Sequence, residues 1–154
     1  MNVTRTLVAV AMVLSAPALA AAQPNLTPGF DTKTGTVIAK NSGASDAGRS
    51  LLTIKCSGMG GSTCPDPNPV DLAPYLNPAF PNAATVKMKP VKAGTQATHK
   101  IDFFNSLPFA PGSYIFSVCV DAGDDVAESK ENDNCTRIRY TVKERKTQFK
   151  SSTR

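Results

Sequence analysis

The stretch DAGDDVAESKENDN, residues 121–134, holds the densest group of chemically active side chains in the sequence. Its six carboxylates fall within thirteen residues and follow the apolar run YIFSVCV directly. Such a cluster could hold a metal ion, supply a general acid and base, or form a solvated turn between two strands. These three chemistries predict different functions, so the elements that position the stretch decide among them.

Calcium is the metal that a run of oxygen ligands suggests, and the weak candidates are Asp121, Asp124, Asp125 and Glu128. Their irregular spacing lacks the D-x-D-x-D-G order of a calcium loop. We therefore expect no metal and no cofactor. Calcium-modulated binding through this acidic turn is the alternative.

Catalytic chemistry has few supporting residues in this sequence. The carboxylates have no visible nucleophile or base beside them, and neither a G-x-S-x-G motif nor a Gly-rich phosphate loop is present. His99 is the only histidine in the sequence. In an alternating strand it shares one face with Ile101 and Phe103, which favours a core or sheet-edge position. We expect no catalytic residues and no enzymatic activity.

Four cysteines at positions 56, 64, 119 and 135 allow three disulfide pairings. By strand parity Cys119 and Cys135 both point outward on consecutive strands, so they can meet across a hairpin. Cys56 has the parity of core residues, and pairing it with Cys119 would require a bulge. We predict Cys56–Cys64 and Cys119–Cys135. Zinc is disfavoured because no C-x-x-C knuckle is present.

The elements around these residues are strands, because apolar side chains recur with period two rather than 3.6. In SYIFSVCV (113–120) and TRIRYTVK (136–143), one face is apolar and the other polar. RSLLTIKC (49–56) places Leu52 and Ile54 inward, opposite Thr53 and Lys55. The remaining candidates are ATHKIDFF (97–104), TVIAK (36–40) and ATVKMK (84–89). Several short alternating strands predict two packed antiparallel sheets.

The segment 57–82 interrupts this pattern. Six of the twelve prolines lie between Pro65 and Pro81, and the Gly-rich run GMGGS precedes them. Proline removes a ladder donor, so the segment is not a central strand. We expect a long Pro-rich loop inserted at one sheet edge. A less favoured alternative function is a small secreted hydrolase or inhibitor that acts through this loop. A hydrolase would have a deep polar cleft beside the loop, and an inhibitor would expose the loop as a rigid segment.

Both ends of the chain carry separate signals. Residues 1–22 combine Arg5, an apolar run and the small-residue stretch APALAAA, as in a secretory signal peptide. We expect cleavage between Ala20 and Gln23, an extracytoplasmic location and no membrane span. Residues 23–142 balance eleven bases against eleven acids, and the basic tail 144–154 is expected to be disordered. A tail is not a nucleic-acid footprint, so we expect no nucleic-acid partner.

Four motifs in order resemble the CARDB family, the cell-adhesion-related domain found in bacteria. They are VIAKNSGASDAG, VKAGTQATHKIDF, PGSYIFSVCVD and the turn VAESKENDN, and the resemblance covers roughly residues 30 to 143. The turn departs from the family pattern at Lys130 and Asp133, where the family has asparagine. The resemblance implies an immunoglobulin-like or fibronectin-type β-sandwich and a role in interaction.

We therefore expect an all-β, immunoglobulin-like antiparallel sandwich of about seven strands over residues 23–143. Glu128, Glu131 and Asn134 are expected to lock the acidic turn through bonds to nearby backbone, with Val126 as its apolar plug. The expected function is an exported, non-enzymatic module for binding or adhesion at the bacterial envelope or outside the cell. Its partner, a protein or an envelope or extracellular ligand, is not specified by the sequence, and neither is its oligomeric state.

Overall fold

The computed structural model describes residues 22–144. Seven β-strands are the main regular elements of this range, with short helical turns between some of them. The elements are β1 (Leu26–Asp31), β2 (Thr36–Asn41), β3 (Ser50–Met59), α1 (Pro69–Leu72), a 3-10 turn (Ala73–Tyr75), β4 (Ala84–Met88), β5 (Gln96–Lys100), a second 3-10 turn (Phe104–Ser106), β6 (Gly112–Cys119) and β7 (Cys135–Val142). The expected strand count is confirmed.

The strands form two sheets, one of three strands in the order β1-β2-β5 and one of four in the order β4-β3-β6-β7. Every pair of neighbouring strands is antiparallel. Apolar residues from both sheets meet in one buried cluster, as expected when each strand turns alternate side chains inward. The predicted all-β antiparallel sandwich is confirmed.

Strand β6 supplies the centre of this core. Tyr114, Phe116, Val118 and Val120 are all buried, as their alternation in the sequence predicts. The Tyr114 hydroxyl donates to the carbonyl of Ala110, four residues upstream, at 2.8 Å. A tyrosine at the start of a strand that bonds back in this way is the tyrosine corner of immunoglobulin-like sandwiches. It fixes the chain entering β6.

Strand β1 is the element that the sequence analysis did not identify. It contains Pro28 and Gly29, which interrupt any alternating pattern. Proline is tolerated here because β1 pairs only with β2 and forms the edge of the three-stranded sheet. Its Leu26 is completely buried and Phe30 lies edge-on against Phe104 and Phe116, so β1 closes one side of the core.

The strand expected over residues 97–104 is shorter in the structure. β5 ends at Lys100, and the chain then turns, with the Phe104 N–H bonded to the Ile101 carbonyl at 3.1 Å. His99 pairs with Val37 and shares its face, but β5 is a sheet edge and His99 is exposed there. Its ring lies 6.2 Å from that of Tyr75.

The Pro-rich segment is also more structured than a loop. Residues 57–59 belong to β3 and pair with β6, so the irregular part begins at Gly60. Further on, Asn68 caps the short helix α1 by accepting from Val70 N at 2.9 Å, and a proline occupies the first turn. Tyr75 then packs into the core edge, 5.3 Å from the ring of Phe103.

The predicted signal peptide (1–22) and basic tail (144–154) fall almost wholly outside the described residues. Within residues 22–144, no helix is long and apolar enough to cross a membrane.

Candidate functional site: the acidic turn

The acidic stretch connects β6 to β7, and its first residue organises the connection. Asp121 is buried and has a φ of 49°, a left-handed conformation that aspartate tolerates better than most residues. Its carboxylate accepts from Asp125 N at 3.2 Å and from Val126 N at 3.0 Å. Asp121 therefore ties the next five residues into a loop and points Val126, which is buried, towards the core.

The second half of the turn is held by the three residues that the sequence analysis assigned to it. Glu131 accepts from Glu128 N at 2.8 Å. The amide of Asn134 donates to both carboxylates, at 3.2 Å to Glu128 and 3.3 Å to Glu131. Asn134 is buried, and its backbone carbonyl accepts from Val120 N at 2.8 Å, where the hairpin ladder begins. The structure thus brings the three side chains together.

Glu128 also makes a contact that sequence reasoning missed. Its second carboxylate oxygen accepts from the backbone N–H of Leu26, the first residue of β1 and 102 positions away. The neighbouring Ser129 donates its N–H to the Pro24 carbonyl at 2.9 Å. Since β1 and β7 belong to different sheets, these bonds join the sandwich across its open edge.

Asn25 extends the same junction to the loop after β2. Its backbone N–H donates to Asn41 Oδ1 at 3.1 Å, and its amide donates to Ser42 Oγ at 3.0 Å and Asp133 Oδ2 at 3.3 Å. We call residues Pro24, Asn25 and Leu26 with Glu128, Ser129 and Asp133 the clamp. It holds the chain that enters β1 between the acidic turn and the β2 loop.

Burial governs the electrostatics of the clamp. Desolvation raises the pKa of Glu128, and the bond from Leu26 N only partly opposes this effect. The charges of Glu131, Asp121 and Asp133 raise this pKa further. Burial likewise raises the pKa of Asp121, against the two backbone bonds that it accepts. These carboxylates therefore serve as hydrogen-bond acceptors at an electrostatic cost to the folded state.

The calcium candidates do not assemble into a coordination site. Asp124 and Asp125 are exposed, whereas Asp121 and Glu128 are buried and already accept N–H bonds. No group of three or more His, Cys, Asp or Glu side chains among residues 22–144 is placed to hold a metal ion. Three buried acceptor oxygens have no hydrogen-bond partner: Asn25 Oδ1 and Asp133 Oδ1 in the clamp, and Asn134 Oδ1, whose amide nitrogen bonds to Glu128 of the clamp.

Two disulfides flank this architecture, and both are the pairs expected from the sequence. Cys119 and Cys135 close the β6–β7 hairpin at the base of the acidic turn, with a Cα–Cα distance of 4.1 Å. Cys56 and Cys64 join β3 to the Pro-rich segment, with a Cα–Cα distance of 6.1 Å. The Cys119–Cys135 bond fixes the position from which the clamp reaches β1.

Thr53 pairs with Cys119 on the outer face of the four-stranded sheet. It is buried there, although its outward parity in the sequence predicted exposure.

A cavity of about 250 Å³ lies between the Pro-rich segment and the side of the sandwich formed by β3, β4 and the residues after β5. Its lining is apolar except at Lys55, Asp66 and Asn82, and Phe103 and Phe116 contribute aromatic surface. A hydrolase would need a polar cleft with a positioned nucleophile and base. This cavity does not provide one.

Residues 66–138 match the model of the CARDB family, so the resemblance to that family noted in the sequence is confirmed. A solved CARDB domain from Pyrococcus furiosus, in complex with di-metal ions, is similar at 14% sequence identity. That likeness covers 78% of this chain and 89% of that chain, with a TM-score of 0.45. No curated protein matches the chain.

Proposed function

We propose that the chain is an exported, non-enzymatic binding module that acts at the bacterial cell envelope or outside the cell. The observation that carries this proposal is the use of the acidic turn. The carboxylates of Asp121, Glu128 and Glu131 are all engaged by backbone N–H groups, so the most reactive stretch of the sequence serves the fold. The CARDB match supports an adhesion-like module, although fold analogy alone does not establish a function.

Two further features support an extracytoplasmic location. Both disulfides belong to the kind of bond that forms and persists in oxidising compartments. The N-terminal residues have the charge, apolar run and small-residue stretch of a signal peptide. Cleavage near Ala22 would leave the clamp intact, because its first residue is Pro24.

Cell fractionation with mass spectrometry tests the location. We expect the mature chain in the extracytoplasmic fraction, beginning at one of residues 21–24 and carrying both disulfides. The mature protein, used as bait on envelope and culture fractions, should then retain a partner that the reduced and unfolded chain does not. An intact Met1 form in the cytosol would overturn the proposal of export.

One observation favours a second candidate, a calcium-modulated binder. The oxygens Asn25 Oδ1, Asp133 Oδ1 and Asn134 Oδ1 have no partner, the Asn134 amide nitrogen contacts the carboxylates of Glu128 and Glu131, and oxygen-rich sites suit calcium. Thermal unfolding with calcium and with EDTA separates the two functions. A structural turn predicts the same melting temperature in both. A calcium-dependent rise that disappears in Asp133→Asn, a variant of nearly the same shape, would establish the second candidate.

A further inference from the structure

The outer face of the four-stranded sheet carries an uneven distribution of charge. In register across β3, β6 and β7, one row reads Lys55, Ser117, Arg137 and the next reads Ser57, Ile115, Arg139. Cross-strand partners share a face, so these side chains project together. Lys55, Arg137 and Arg139 are exposed. We call the two rows the basic face.

The basic face contains no acidic residue, although residues 23–142 are neutral as a whole. Six of their eleven acids lie instead in the turn 121–134, at the end of the β6–β7 hairpin that the Cys119–Cys135 pair closes, one same-face row beyond Ser117 and Arg137. At that end, Arg49, Lys87 and Lys89 line one hollow together with Asp125. The two rows of the basic face therefore present three cations with no acid between them, whereas the cations of the hollow have Asp125 beside them.

The spacing of these cations suits an extended partner. Neighbouring strands lie about 4.8 Å apart, which places Lys55 and Arg137 roughly 10 Å apart across the sheet. Arg137 and Arg139 are separated by about 7 Å along β7. A chain with acidic groups at regular intervals could contact all three. Arginine binds carboxylate and sulfate through two parallel hydrogen bonds.

The remaining side chains of the face indicate the class of partner. The hydroxyl of Ser117 lies between Lys55 and Arg137, and that of Ser57 lies two residues beyond Lys55 on β3; both can bond to sugar hydroxyls. The two rows contain no aromatic residue on which nucleic-acid bases could stack. An anionic membrane surface would attract each of the three cations by about 1 kcal/mol, whatever their spacing, and so would not use their regular arrangement. A polysaccharide therefore fits better than a nucleic acid or a lipid bilayer.

We propose that the basic face binds an acidic polysaccharide, whose carboxylate or sulfate groups pair with Lys55, Arg137 and Arg139. This inference rests on the proposed binding function and specifies its partner. The test uses the mature chain with its basic tail, and the probes are polygalacturonate, dextran sulfate and neutral dextran. Calorimetry at low and physiological salt should show binding to both acidic polymers, weakened by salt, and none to dextran.

The decisive variant is Arg137→Gln with Arg139→Gln, and its matched control is Lys87→Gln with Lys89→Gln. Each pair removes two positive charges, the first from β7 and the second from the end of β4 and the residue that follows it. We expect the arginine pair to weaken binding by about tenfold or more and the lysine pair by less than about threefold. Should the arginine pair lower the melting temperature, Lys55→Gln tests the same face from the opposite strand and should also weaken binding.

Three results would overturn the inference: equal losses in the two pairs, no loss in the arginine pair, or tighter binding to single-stranded DNA or phosphatidylglycerol vesicles. The first would indicate an attraction that depends only on net charge, and the second would assign binding to another surface, such as the tail. Each leaves the proposed function standing if the chain is exported and retains a partner. A cytosolic, unprocessed chain would refute the proposed function whichever polymer it binds.

Discussion

Replacing Glu128 by alanine should destabilise the protein by an amount that the clamp determines. The substitution leaves the N–H of Leu26, a fully buried residue, without an acceptor, which costs about 1–3 kcal/mol. Asn134 keeps its bond to Glu131, so the loss of its bond to Glu128 adds only about 0.5–1.5 kcal/mol. Removal of an unfavourably buried carboxylate, as the raised pKa indicates, offsets part of this loss. We expect about 2 kcal/mol in total.

Equilibrium unfolding in urea measures this difference. With a slope of about 1–3 kcal/mol per molar, 2 kcal/mol lowers the midpoint by roughly 1 M. The matched control is Asp125→Ala. It removes the same charge from the same turn, but the Asp125 side chain is exposed, so stability should change by less than about 0.5 kcal/mol. Glu128→Gln keeps one acceptor oxygen, so its urea midpoint should lie between those of Glu128→Ala and Asp125→Ala. If Glu128→Ala and Asp125→Ala lie within error of each other, the clamp does not contribute as argued.

Three further predictions follow from the same contacts. Replacing Cys119 and Cys135 by serine should cost about 3 kcal/mol, the loop-closure value for their separation of 16 residues; an unchanged urea midpoint would mean that the bond does not form. Tyr75→Ala should cost about 2–4 kcal/mol in the same assay, whereas Val70→Ala should be nearly neutral, because Tyr75 is buried against the core and Val70 is exposed. Burial raises the pKa of Glu128, so the folded protein keeps this proton to higher pH than the unfolded chain; wild type should therefore lose stability relative to Glu128→Gln as pH rises above the ordinary value of 4.5, and a parallel pair of pH curves would contradict this.

Local and periodic features were predictable from the sequence. The two-residue period of β6 and β7 identified their inward faces, and strand parity was sufficient to pair Cys119 with Cys135. The bond that Glu131 accepts from Glu128 N was also predictable in kind, because it joins residues within one short turn. The Asn134 side chain differs from the expectation, since it donates to two carboxylates instead of bonding to backbone.

Features that depend on distant parts of the chain were not predictable from the sequence. The bond from Leu26 to Glu128 spans 102 residues and leaves no pattern in the sequence. Strand β1 was missed because Pro28 is acceptable only at a sheet edge, and edge position depends on the tertiary arrangement. The short helix in the Pro-rich segment did have a signal, since Asn68 followed by Pro69 is a typical helix start.

Amide hydrogen exchange at Leu26 tests most directly the claim that the acidic turn is a structural clamp. In the wild type this amide should exchange slowly, because Glu128 accepts its hydrogen bond inside the fold. In Glu128→Ala its exchange should accelerate by about tenfold or more beyond any change at β6, whereas Asp125→Ala should leave it unchanged. Equal exchange at Leu26 in all three proteins would contradict the account and show that the turn does not hold β1.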